Sequence, residues 1–193
     1  MQSETDKSNQ SQKILTAAIF CISTKGYANV SLRDIADKAG VVLSQLNYYY
    51  NNKEGLFIEV IKVAIGKYLA EIEENLQKGK TVQEKMASLS QYYRELQTRA
   101  PELFRLLYDF IGMALWSETF REFIKKLFQE LADLVEENIA VYIAKNDKCG
   151  CYSSKAISRM IIGALFGITL QSMLEPEKET LSDAFQTIPM IFQ

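Results

Sequence analysis

The chain has 193 residues, a formal net charge of -2, three cysteines and no histidine. That length can bury a sizeable core without disulfide staples, and Cys21, Cys149 and Cys151, odd in number and free of secretory flanks, point to a reducing, cytoplasmic setting. The missing histidine removes the commonest general base, the Ser-His and Cys-His nucleophile pairs and every His-containing metal site. With no Gly-rich phosphate loop either, the composition speaks against an enzyme, and no catalytic residue, metal or cofactor is expected.

Residues 1–11 are rich in Ser, Gln, Asp and Lys and read as a flexible arm without the apolar core of a signal peptide. From Gln12 onward helical periodicity dominates, with only three prolines and no sustained alternation of the kind a strand needs, so the fold class is all-α. The first helix, roughly Gln12 to Lys25, aligns Ile14, Leu15, Ala18, Ile19 and Ile22 on one stripe and stops at Gly26. Ser31 then caps a short helix to about Lys38, with Asp34 at the third position of a near capping box. Ala39-Gly40-Val41 breaks it, and a third helix runs from Val42 to Tyr50. Asn52 is a candidate cap for a long helix from Lys53 to Lys78, which Gly79 ends.

Thr81-Val82-Gln83-Glu84 is a capping box opening a helix that ends before Pro101, and Pro101 suits the first turn of the next. That helix, to about Leu115, is apolar nearly all round and reads as buried. A further helix runs from Ser117 or Glu118 to about Ala144. After the loop Asn146 to Gly150, Ser153 or Ser154 caps one that reaches Leu174, and a short last helix starts near Leu181. The apolar stretch Ile157 to Leu174 carries Ser158, Arg159 and Gln171 and reads as too polar for a membrane span. Cys149-Gly-Cys151 is too closely spaced for a zinc knuckle.

Three short helices with a glycine turn between the second and third make a helix-turn-helix, with Val42 to Tyr50 as its recognition helix. Lys7, Lys13, Lys25, Arg33, Lys38 and Lys53 against Asp34 and Asp37 give this segment 6 - 2 = +4, a charge suited to phosphate. From Ile14 to Leu56 the sequence resembles the TetR family of transcriptional regulators. The matching residues are Ala17-Ala18, Lys25-Gly26-Tyr27, Val30-Ser31-Leu32-Arg33-Asp34-Ile35-Ala36, Ala39-Gly40-Val41, Leu46, Tyr48-Tyr49-Tyr50 and Lys53-Glu54-Gly55-Leu56. Three positions depart from the family pattern: Val42 where a capping serine is common, Ser44 where glycine or proline is common, and Asn47 where tyrosine is usual. An amide at 47 can bond a phosphate or read adenine with two hydrogen bonds.

The resemblance implies a DNA-binding domain over residues 12–60, with its helix-turn-helix near 31–50, and a ligand-binding and dimerisation domain over residues 61–193. It places Arg33, Ser44, Gln45, Asn47, Tyr48, Tyr49 and Lys53 at DNA-contact positions. Gln45 and Asn47 are assigned to bases, Arg33 to base or phosphate, and Tyr48, Tyr49 and Lys53 to phosphates, while Leu46 and Tyr50, four apart, face inward. It also implies an apolar pocket, for which Tyr92, Leu96, Phe104, Tyr108, Met113, Trp116 and Phe123 are candidate linings, a filled core being the simpler reading of each. Asp109, the one acid between Leu103 and Trp116, is open to three readings: a partner for a cationic ligand, a buried pivot, or, most simply, an ion pair with Arg105. Gly163 and Gly167 permit close helix approach, either within one subunit or across a dimer built, as in the family, from this helix and the last. The expected function is a repressor that binds palindromic operator DNA as a homodimer and is released by a small hydrophobic or amphipathic effector, with no membrane involved. The alternative is a helical binding protein of the same fold that acts through a protein partner.

Overall fold

The computed structural model describes residues 2–145, 152–175 and 179–192. It is all-helical there: α1 (Gln2–Lys25), α2 (Leu32–Ala39), α3 (Leu43–Tyr50), α4 (Lys53–Gln77), α5 (Val82–Arg99), α6 (Pro101–Ala114), α7 (Glu118–Lys145), α8 (Ser154–Leu174) and α9 (Glu179–Thr187), with 3-10 turns at Tyr27–Asn29 and Ile188–Phe192. Cys149 and Cys151 lie outside the described residues.

The helix boundaries follow from local chemistry. Ser31 Oγ accepts the Asp34 N–H at 3.1 Å while the Asp34 carboxylate accepts the Ser31 N–H at 2.9 Å, completing the capping box of α2. Gly40 ends that helix in the left-handed region (φ 69°, ψ 34°), and the Val41 N–H returns to the Ala36 carbonyl at 3.0 Å. Asn52 caps α4 through Oδ1, which accepts the Gly55 N–H at 2.8 Å. Gly55 itself is required by close approach, because a Cβ there would lie 2.7 Å from the Tyr50 carbonyl oxygen. Thr81 and Glu84 form the box expected for α5.

One boundary differs markedly from the sequence reading. Residues 1–11 are expected as a flexible arm, whereas α1 begins at Gln2. Apolar periodicity starts only at Ile14, so the sequence carries no sign of the earlier turns. What fixes their end nearest Ile14 is polar and long-range: Ser11 and Gln10 bond to tyrosines of α3.

Two compact units share the chain, one of Met1–Gly66 with Glu102–Ile124, the other of Lys67–Pro101 with Lys125–Gln193. A single cut near residue 60 does not describe this grouping, because α6 and the start of α7 pack with the N-terminal helices. The first unit is centred on Ile14, Ile22, Ile35, Leu46, Leu56, Phe57, Ile61, Phe104 and Phe110, all essentially sealed from solvent. The second buries Tyr68, Ile72, Leu76, Met86, Tyr93, Leu131, Val135, Ile161, Leu165 and Phe185. There α9 and the turn after it pack on α5, and α8 packs on both α5 and α9.

By length and composition alone α8 is apolar enough to cross a membrane, where the sequence reading finds it too polar; 39% of its most apolar stretch is buried inside the protein. Ile157, Ile161, Leu165 and Thr169 form its inner face. Its outer face is apolar as well, through Met160, Gly163, Gly167, Leu170 and Leu174. The spacing of those five residues, three and four in alternation, is that of a helix-pairing seam.

Candidate nucleic-acid interface

The recognition helix α3 is anchored from beneath by Leu46 and Tyr50, both buried as their four-residue spacing predicts. Tyr50 is held further by its hydroxyl, which lies 2.8 Å from Ser11 Oγ and donates to the Ser11 carbonyl at 3.0 Å. The Tyr49 hydroxyl donates to Gln10 Oε1 at 3.2 Å. Tyr49 is therefore turned toward α1, and a phosphate contact from it requires giving up that bond. Gln10 and Ser11 were invisible to sequence reasoning; the available signal was that two consecutive tyrosines with apolar rings must find partners for their hydroxyls.

On the opposite side of α3, Ser44, Asn47 and Tyr48 are exposed, Tyr48 by 69%. Arg33, in the first turn of α2, is exposed as well. Gln45 is half-buried, and its Oε1 accepts the Val42 N–H at 3.2 Å. Val42 is the N-cap of α3 and contributes no side-chain bond, so of the two reciprocal bonds of a capping box only the one accepted by Gln45 Oε1 forms. Of the seven expected DNA contacts, Arg33, Ser44, Asn47 and Tyr48 are presented to solvent, Gln45 is partly engaged, and Tyr49 and Lys53 are bonded within the protein.

Lys53 is engaged most fully. Its ammonium donates to the Tyr27 carbonyl at 3.0 Å and lies 4.6 Å from the Tyr27 ring centroid. The Tyr27 N–H in turn donates to Asp109 Oδ2 at 3.0 Å. Both peptide groups of one residue are thus held by charges of opposite sign, one from α4 and one from α6. The Tyr27 ring is wedged edge-on against Phe57 at 4.4 Å and Phe120 at 6.1 Å, and burial pushes its phenol pKa up. This corrects the reading of Asp109 as the partner of Arg105: no such ion pair forms among the described residues, because the carboxylate turns toward the N-terminal helices instead.

Two of the cations counted in that segment are engaged within the protein. Lys25 pairs with Asp34 at 3.0 Å, and Lys38 lies 4.0 Å from the Phe20 ring centroid. The Asp34 carboxyl is held well below the usual carboxylate range, first by the Ser31 hydroxyl, then by the Ser31 N–H and Lys25. Arg33 and Lys13 of the same segment are exposed.

The expected pocket residues fall in different units. In the first, Phe104 is sealed in the core, Tyr108, Met113 and Phe123 are half-buried, and Trp116 is 90% exposed. Trp116 sits in the turn after α6, where its N–H closes on the Met113 carbonyl at 3.0 Å; its indole points into solvent and lines no interior wall. In the second unit Tyr92 and Leu96 are buried. The Tyr92 hydroxyl donates to Glu71 Oε2 at 3.0 Å, which also accepts from Arg99 at 2.8 Å, and burial first, then the Glu71 carboxylate, pushes the Tyr92 pKa up. Tyr68 and Tyr93 share a buried hydroxyl–hydroxyl bond beside it. An open cleft of about 560 Å³ lined by Arg94, Glu95, Thr98 and Arg99 lies on the outer side of α5. No group of three potential metal ligands occurs among the described residues.

A three-helix unit with a left-handed glycine turn and an exposed polar row on its third helix is a helix-turn-helix module of DNA-binding regulators. Residues 14–60 match the family model of bacterial regulatory proteins, tetR family. The fatty acid metabolism regulator protein of Bacillus subtilis is 32% identical over 75 residues, a match spanning 39% of each chain. Among solved structures, a TetR transcription regulator from Haloarcula marismortui superposes with a TM-score of 0.81 at 18% identity, covering 96% of this chain and 97% of that one. FadR from Bacillus subtilis, solved with stearoyl-CoA, superposes with a TM-score of 0.74 at 19% identity, covering 94% and 96%. Residues 14–60 are thus similar to the DNA-binding domain of tetR-family regulators, and the described chain shares the fold of these solved structures.

Proposed function

We propose that the protein is a cytoplasmic repressor that binds a palindromic operator as a homodimer and is released by an amphipathic molecule bearing a long acyl chain. The observation that carries the DNA-binding part is the polar row Ser44, Asn47 and Tyr48, exposed on a helix whose other face is locked by Leu46 and Tyr50. Arg33 stands on the neighbouring helix as a phosphate or base contact, Gln45 joins through the amide half that its internal bond leaves free, and Tyr49 and Lys53 join once their internal bonds exchange for DNA. Dimerisation is supported by the outer seam of α8. A Cβ at either Gly163 or Gly167 would meet nothing within 4 Å, so these glycines serve no close packing inside the subunit and suit the approach of a second copy. The effector class is carried over from FadR, which was solved with stearoyl-CoA, and the buried aromatic side chains of the second unit, Tyr68, Tyr92 and Tyr93, are compatible with an apolar tail.

Gel-shift titration of the full chain on the DNA upstream of its own gene, across a salt series, tests the core of this reading. Saturable binding that is specific for one duplex and weakens as salt rises is expected. Equal binding of that duplex and a scrambled one at every salt concentration rejects the regulator function and favours action through a protein partner.

A further inference from the structure

The recognition helix begins in a way that constrains what it can read. Val42, the N-cap of α3, has extended backbone (φ -79°, ψ 150°) and no side-chain acceptor. Gln45 Oε1 accepts the Val42 N–H at 3.2 Å. A backbone N–H can only donate, so the orientation of this amide is fixed chemically: Oε1 faces the backbone and Nε2 faces out. The outward group is half-buried beside the exposed Ser44 and Tyr48.

A glutamine that reads adenine in the major groove uses both halves of its amide, accepting from N6 and donating to N7. Gln45 Oε1 is turned to the start of its own helix, so a two-bond adenine contact needs adenine N6 to share that oxygen with the Val42 N–H through its second lone pair. Breaking that bond to recruit Oε1 would leave the N-cap N–H of α3 without its side-chain partner. We propose that Gln45 reads its base pair as a hydrogen-bond donor only, which makes guanine, and not adenine, the preferred base at that operator position.

The groove chemistry supports this assignment. Guanine presents two adjacent acceptors, N7 and O6, to the two Nε2 hydrogens. Adenine offers N7 alone and sets its N6 donor against a donor; cytosine sets N4–H₂ against it and is rejected. Asn47, two residues on, is exposed and engages neither amide atom of its side chain among the described residues. It keeps both donor and acceptor and serves as an internal contrast for adenine.

This inference rests on the DNA-binding reading, and the experiment separates the two. The full-length protein selects duplexes from a randomised library, and the enriched pools are sequenced for the wild type, Gln45→Ala, Val42→Ser and Val42→Pro. Gln45→Ala identifies the position Gln45 reads, as the one where discrimination is lost. At that position the wild type should prefer guanine over adenine by about tenfold. Val42→Ser keeps the N–H and should keep the preference. Val42→Pro removes the N–H, fits the observed φ, frees Oε1, and should move the preference toward adenine at that position alone.

A wild-type preference for adenine there overturns the proposal, whether or not the proline variant folds. So does a folded Val42→Pro protein with unchanged guanine preference, or a Gln45→Ala variant that relaxes no position. Absence of sequence preference at every position removes DNA reading itself and the donor assignment with it.

Discussion

Tyr27 is a residue whose two peptide groups are satisfied by side chains of opposite charge, Asp109 on its N–H and Lys53 on its carbonyl. Its position in the chain gave no hint of this, since Tyr27 and Asp109 are 82 residues apart and a polar side chain chooses its partner by tertiary proximity. What was legible at this scale came from local geometry: Leu46 and Tyr50 inward on a four-residue period, Ser31, Asn52 and Thr81 as caps, Gly40 as a left-handed turn. The polar partners of Gln45, Tyr49 and Lys53 were not, because each depends on what another element brings near. Asp109→Ala leaves the Tyr27 N–H half-buried and unpaired, which should cost about 1 to 3 kcal/mol in urea unfolding. Asp109→Asn retains an acceptor and should lose less. Arg105→Ala, on an exposed residue, should fall within about 0.5 kcal/mol of wild type. Equal losses from the Arg105 and Asp109 alanine variants would restore the intrahelical ion pair.

At the scale of elements, the sequence located every helix from α2 to α8 within a few residues, because caps, glycines and Pro101 punctuate them. It missed the first turns of α1, which precede the apolar stripe and whose end nearest Ile14 is tied to α3 by Gln10 and Ser11. It also left α8 ambiguous: Gly163 and Gly167 at that spacing fit packing within a subunit as well as between subunits. Within the subunit α8 turns Ile157, Ile161, Leu165 and Thr169 inward and leaves Met160 at 52% and Leu174 at 73% exposed on the glycine side, the side that the proposed dimer uses. The last segment is divided. Phe185, Ile188 and Phe192 are buried, whereas Met190 and Ile191 are exposed, so only part of it is available to a partner. Gly163→Leu separates subunit folding from pairing. Replacing an interior helical glycine where a Cβ meets nothing should leave thermal stability of the isolated subunit unchanged or raised. The same bulk should break a close helix seam, so sedimentation velocity should shift from dimer toward monomer. A variant that remains fully dimeric places the interface elsewhere.

For the whole molecule, the all-α class was legible in the sequence but the division of the chain was not, because α6 groups with the N-terminal unit through contacts that leave no periodic trace. α4 contributes residues to both units, up to Gly66 in one and from Lys67 in the other. Regulation of such a molecule by an effector is a question of coupling free energy, which has a sign and a reciprocal. An effector releases DNA only if it binds the DNA-incompetent arrangement more tightly than the competent one, whatever its absolute affinity. If the effector carries a long acyl chain, stearoyl-CoA should weaken operator binding, and operator DNA should weaken stearoyl-CoA binding by the same factor. Coenzyme A without the acyl chain should do neither. Trp116, facing solvent, is a poor reporter of an interior ligand, so the two affinities are better measured by calorimetry for the acyl-CoA and by fluorescence anisotropy of labelled operator. A factor of about ten in each direction corresponds to a coupling of about 1.4 kcal/mol, within the range of allosteric proteins. Tight stearoyl-CoA binding with unchanged operator affinity would mean a pocket without a switch, and the acyl chain would then be ruled out as the releasing signal.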